Sequence, residues 1–127
     1  MVTTLTANPY YRNIKPDVEA EISMAQMSLK RGLPDAAFSS LERAHVLGQE
    51  STILHTRVHF EMLVWGFRQR SAKEVLGQLF RMIGAATKTG IGLVPHGNTG
   101  GSNVSPFKRM TIAPDLADKI STAKGAR

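Results

Sequence analysis

The sequence predicts an all-α protein: a four-helix antiparallel array with a tetratricopeptide-like helical hairpin, then a glycine-rich irregular segment and a short C-terminal helix. Two observations predict it. Between residues 16 and 90, apolar residues recur three and four positions apart in four successive segments, the period of helices with one buried face. Proline, serine and glycine fall between those segments, where helices start and stop. With 127 residues and 42% hydrophobic content, the chain suits one domain. That domain is expected to span 16–127, after an N-terminal arm at 1–15 that shows no period.

Pro16 suits the first turn of the first helix, and Asp17, Glu19 and Glu21 complement the positive end of its dipole. Val18, Ile22, Ala25 and Leu29 form its apolar stripe, and Gly32 closes it. Pro34 and Asp35 open the second helix, whose inner positions Ala37, Leu41 and Ala44 are small enough for close helix contact. Gly48 suits a left-handed C-cap. The stretch from Arg31 to Ala44 resembles the turn and second helix of a tetratricopeptide repeat. It occurs once, and a solenoid needs at least three stacked units, so the expectation is a local hairpin and not a repeat array.

Ser51 or Thr52 can cap the third helix, expected to end near Arg68. Leu54, Val58, Phe60, Met62, Trp65 and Phe67 make it apolar around most of its circumference, which predicts the central buried helix. Ser71 to Glu74 reads as a capping box, and Val75, Leu76, Leu79, Phe80 and Ile83 give the fourth helix its stripe before Gly90. Residues 90–113 read as a Gly/Pro-rich loop, and 114–121 as the short last helix. The Gly97–Gly101 run lacks the order of a phosphate-binding loop, so its glycines are assigned a structural role.

Sixteen Lys and Arg against ten Asp and Glu give a formal charge of +6. The basic residues are scattered and are not interleaved with aromatics, which argues against a nucleic-acid platform. No apolar run is long enough to span a bilayer, and the first residues lack a secretory pattern, so the expectation is a cytoplasmic protein without a membrane partner. Zero cysteines leave only nitrogen and oxygen ligands for any metal.

Such ligands cluster. Glu42-x-x-His45 and His55-x-x-x-His59 place pairs of metal-competent side chains on helix faces, since positions three or four apart lie one above the other. If the turn at Gly48 folds the two helices back on each other, Glu42, His45, His55 and His59 share one layer. Glu19 of the first helix arrives opposite His45 as a further ligand or an outer hydrogen-bond acceptor. His45 also lies near a helix C-terminus, where the dipole favours its cation and competes with metal. The expected occupant is a divalent metal ion, with zinc first among the candidates. Glu-x-x-His also resembles the motif of di-iron bundles, but those carry two copies and this chain has one. No nucleophile or acid–base constellation stands out. His96, the fourth histidine, is set aside as a ligand.

Four segments taken together resemble a known family. Leu41-Glu-Arg-Ala-His-Val-Leu-Gly-Gln49, His55-x-x-x-His59, Glu74-Val-Leu-Gly-Gln-Leu and Pro95-x-Gly-Asn-Thr-Gly-Gly-x-Asn-Val104 are similar to the small bacterial proteins catalogued as domain of unknown function 3703. The resemblance runs from about Tyr11 to Ile120. It implies a cytoplasmic bacterial protein and assigns no chemistry.

Three functions stay open on the sequence: a metal-binding protein in metal handling or sensing, a metal-free tetratricopeptide-like module holding a protein or peptide partner, and a metal-dependent hydrolase. A homodimer through the apolar surface of the fourth helix is a further expectation.

Overall fold

The computed structural model describes residues 8–88, 97–102 and 108–125, and the side chains of 85–88 are left aside. Five helices account for all the regular structure of these residues: α1 (Pro9–Lys30), α2 (Pro34–Gly48), α3 (Thr52–Arg68), α4 (Ala72–Lys88) and α5 (Pro114–Gly125). The fold is all-α, as the periodicity predicts. His96 and Gly90 lie outside the described residues.

The first helix starts earlier than expected. Asn8 caps it, its side chain accepting from the backbone N–H groups of Tyr10 and Tyr11, and Pro9 occupies the first turn. Pro16 is therefore interior and forfeits one backbone hydrogen bond. Packing compensates. Ile14 is fully buried, and the Tyr10 hydroxyl donates to the Leu47 carbonyl at 2.8 Å. The arm expected at 1–15 is thus helical from Pro9 onward, and the Asn-Pro pair is the N-terminal signal that the missing period concealed.

Gly32 ends α1 in the left-handed region at φ 73°, as a C-terminal glycine should. Gly48 does not. It is the last residue of α2 with an ordinary backbone, and its value is steric: an added Cβ would meet the Leu54 Cβ at 3.0 Å and the Val18 side chain at 3.6 Å. This glycine lets α1 and α3 close over the end of α2. Ser51 then caps α3, accepting from the Leu54 N–H.

One core runs through four helices. Ile14, Val18, Ile22 and Ala25 of α1 meet Ala37, Leu41, Ala44 and Leu47 of α2, with Leu54, Val58 and Met62 of α3 and Leu116, Ile120 and Ala123 of α5. Among the described side chains, α4 contributes no apolar one to it. Among the described helices, α4 packs on α3 alone, whereas α1 touches α2, α3 and α5. Helix α3 is central in position but not enclosed: Phe60 and Phe67 face outward on it.

Candidate metal centre

Helix α2 carries His45 in its last turn, and α3 carries His55 and His59 one turn apart on its buried face. The turn after Gly48 brings the helices together so that three imidazoles converge. The Nε2 atoms are 2.9 Å apart for His45 and His55, 3.1 Å for His45 and His59, and 3.2 Å for His55 and His59. All three rings are buried. They form the one His/Asp/Glu group among the described residues whose ligand atoms could hold a metal ion.

The outer nitrogens decide what the inner ones present. His45 Nδ1 lies 2.6 Å from the Asn98 carbonyl oxygen, which accepts only, so the proton sits on Nδ1 and Nε2 keeps its lone pair. His59 Nδ1 lies 2.5 Å from Gln78 Oε1. The amide orientation is fixed by its other end: Gln78 Nε2 faces the Glu74 carboxylate at 2.5 Å and the Gly100 carbonyl at 2.9 Å, both acceptors. Hence Gln78 Oε1 accepts from His59 Nδ1–H, and His59 Nε2 also keeps its lone pair. Two lone pairs 3.1 Å apart in a dry interior repel each other, and a cation between them removes the repulsion.

Burial also keeps these rings neutral. It holds His45 well below the usual histidine range, with the neighbouring His55 and His59 acting in the same direction and the Asn98 carbonyl partly opposing. His59 is pushed down to about 4, first by burial and partly offset by Gln78, while the Arg81 charge lowers it further. Burial therefore overrides the helix-dipole preference for a cationic His45 expected from its place in α2. Neutral imidazole is the form that binds metal.

The outer layer of the site comes from α4 and the glycine segment. Glu74, Gln78 and Arg81 occupy successive turns of α4 and are all buried. Half of the expected capping box forms, with the Glu74 N–H bonded to Ser71 Oγ at 3.2 Å. The other half is diverted: the Glu74 carboxylate accepts from Gln78 and from the Ser102 hydroxyl at 2.8 Å. Asn98 is held in turn, its side chain donating to the Lys108 carbonyl and accepting from the Gly100 N–H. Gly100, at φ 86°, lies flat against His45, and an added Cβ would fall 2.5 Å from the ring. That contact admits only glycine, which gives the glycine run the structural role expected of it.

Of the four ligands read from the sequence, the structure gathers three. Glu42 stands apart, half-buried beside a shallow groove with Ser39, Thr99 and Ile112, where burial raises its carboxyl pKa and the Thr99 side chain partly opposes that rise. The reason is helical geometry: three residues turn Glu42 about 60° from His45 and move it one turn away from the α2 end, whereas four residues separate His55 and His59 by only about 40°. Glu19 is not beside His45 but pairs with Arg57 at 2.6 Å on the surface. Gln78, Asn98 and Glu74 are the residues that ligand spacing missed, because none is a metal-ligand type at helical distance from a histidine. Their signal lay in the Glu74-Val-Leu-Gly-Gln and Gly-Asn-Thr-Gly-Gly segments.

Those segments now have a common explanation: they carry the residues that close around the histidines. The family described as protein of unknown function DUF3703 matches residues 12–120. The chain belongs to this family. Membership covers every residue of the site and brings no activity with it. Neither a curated protein nor a solved structure matches the chain. No helix among the described residues is long and apolar enough to cross a membrane.

Proposed function

We propose that this member of the family binds one divalent metal ion, zinc first, through the Nε2 atoms of His45, His55 and His59. The observation that carries the reading is the pair of fixed tautomers, which points the His45 and His59 lone pairs at one buried point shared with His55. Bond lengths support it. The circle through three nitrogens so spaced has a radius of about 1.8 Å, so an ion at the usual zinc–imidazole distance of about 2.0–2.1 Å lies about 1 Å off their plane. The angles at such an ion come to about 90–103°, which leaves coordination positions on its far side.

An ion held this way ties α2 to α3 directly. Through Gln78 and Asn98 it also ties both helices to α4 and to the 97–102 segment. That linkage suits metal handling or sensing, since occupancy is felt at elements far apart in sequence. A carboxylate such as Glu42 would need to move to complete the sphere, and water or a small ligand can fill the remaining positions instead. The cytoplasm is the compartment proposed.

The test is elemental analysis of untagged protein, with the His55→Ala and His59→Ala variants alongside. One ion per chain is expected in the native protein, with loss in both variants and a thermal midpoint that rises with zinc and falls with chelator. No bound metal, together with a midpoint indifferent to zinc and chelator, overturns the reading in favour of a metal-free module that holds a peptide partner. An exchangeable metal-bound water with hydrolytic turnover would extend it to a metal-dependent hydrolase.

A further inference from the structure

Helix α4 is built inside out. Its buried stripe, Glu74, Gln78 and Arg81, is polar. Its exposed stripe, Leu76, Leu79, Phe80 and Ile83, is apolar and follows the i, i+3, i+4, i+7 spacing that marks one continuous helix face. The polar stripe faces inward because it holds the histidines. The apolar stripe is exposed: among the described helices α4 packs on α3 alone, and the 97–102 segment meets the polar side of α4 at Glu74, Gly77 and Gln78. Two further exposed phenylalanines lie on the neighbouring helix α3. Phe67 follows Gly66, the residue pressed against Glu74 of α4, and Phe60 lies two turns back on the same face.

The six side chains are between 47% and 75% exposed. The four on α4 present about 500 Å² of apolar surface, at the upper end of the largest patch found on ordinary monomers. Two copies meeting through this stripe would bury about 1,000 Å² in total, the area a specific interface is expected to clear. The stripe carries no charge, although the chain as a whole carries +6. Two copies meeting through this stripe set no like charges against each other.

We infer that this face is the interface for a second copy of the chain, joined about a two-fold axis near Leu79 and Phe80. A two-fold interface sets the same patch against itself, and leucine, isoleucine and phenylalanine pack against their own kind with no polar group left unpaired. The α4 helices of the two copies then lie at the centre of the assembly, each with its apolar side toward its twin and its polar side toward its own histidines. This inference stands on the exposed stripe and not on metal binding, so either can fail without the other.

The experiment uses the full chain. Light scattering on a sizing column at about 50 µM should give twice the 13.9 kDa mass of one chain. Phe80→Glu should raise the dimer dissociation constant at least about 100-fold and give a monomer with unchanged helical circular dichroism, because position 80 is exposed within one chain. The absence of cysteine allows a second readout. Leu79→Cys should form a disulfide-linked dimer under mild oxidation, and Ser121→Cys, exposed on α5, should not. A monomeric native chain overturns the inference, as does a dimer that survives Phe80→Glu. A monomer that sediments with vesicles of anionic phospholipid also overturns it, assigning the stripe to a membrane surface.

Discussion

The packed pair α1–α2 and helix α4 obey the same periodicity and come to opposite ends. In the α1–α2 pair the apolar stripes Val18–Ile22–Ala25 and Ala37–Leu41–Ala44 face each other and become core. In α4 the equally regular stripe Leu76–Leu79–Phe80–Ile83 faces away, and Glu74, Gln78 and Arg81 turn inward. A stripe establishes that a helix has two unlike faces. Which face is buried depends on what waits on the other side. For α1 and α2 it is another apolar stripe; for α4 it is a knot of imidazoles whose outer nitrogen needs an acceptor.

The contrast can be broken first with two leucines. Leu54→Ala empties a site in the common core and should cost about 2–5 kcal/mol of unfolding free energy in a denaturant titration. Leu76→Ala, measured as a monomer, should stay within about 0.5 kcal/mol. Equal losses at the two positions would mean that α4 is buried within one chain after all.

Acid should act on the polar side of α4 and spare the apolar α1–α2 pair. In metal-free protein, His59 is depressed to about 4 by burial and by the Arg81 charge, against Gln78, whereas in the unfolded chain it takes a proton near the usual histidine value of about 6.5. Between those values the unfolded state binds the extra proton. Stability is therefore full above about pH 6.5 and falls toward pH 4 at about 1.4 kcal/mol per pH unit for each histidine so depressed. His45, also depressed, adds to the slope. A stability that stays flat from pH 7 to pH 4 would mean that these rings are not buried neutral. Bound zinc should shift the loss to lower pH at saturation.

The smallest effect sharpens the role of the outer layer. Gln78→Leu keeps the volume but removes the acceptor for His59 and the donor to Glu74 and Gly100. A partner of this kind is worth about 10–100-fold in metal affinity, and competition against a zinc chelator should show a loss in that range. An unchanged affinity would mean that Gln78 serves packing alone.

The helices, their order and their stripes were legible in the sequence, because caps and apolar spacing act within a turn or two of chain. So was the pairing of His55 with His59 on one face and the approach of His45 across a tight turn. Less legible were the start of α1, where Asn8 and Pro9 outweighed a missing period, and the place of Glu42, where a 60° offset on the helix surface takes a carboxylate out of reach. The Asn98 carbonyl could not be read at all, since a backbone oxygen has no residue type to betray it.

The sequence by itself determined an all-α chain that carries three imidazoles in registers able to meet. Tertiary structure decided that they meet, which tautomers they hold and which face of α4 looks inward. The reason is range. Helix periodicity is a property of neighbours along the chain, whereas His45 is fixed by a residue 53 positions away and His59 by one 19 positions away.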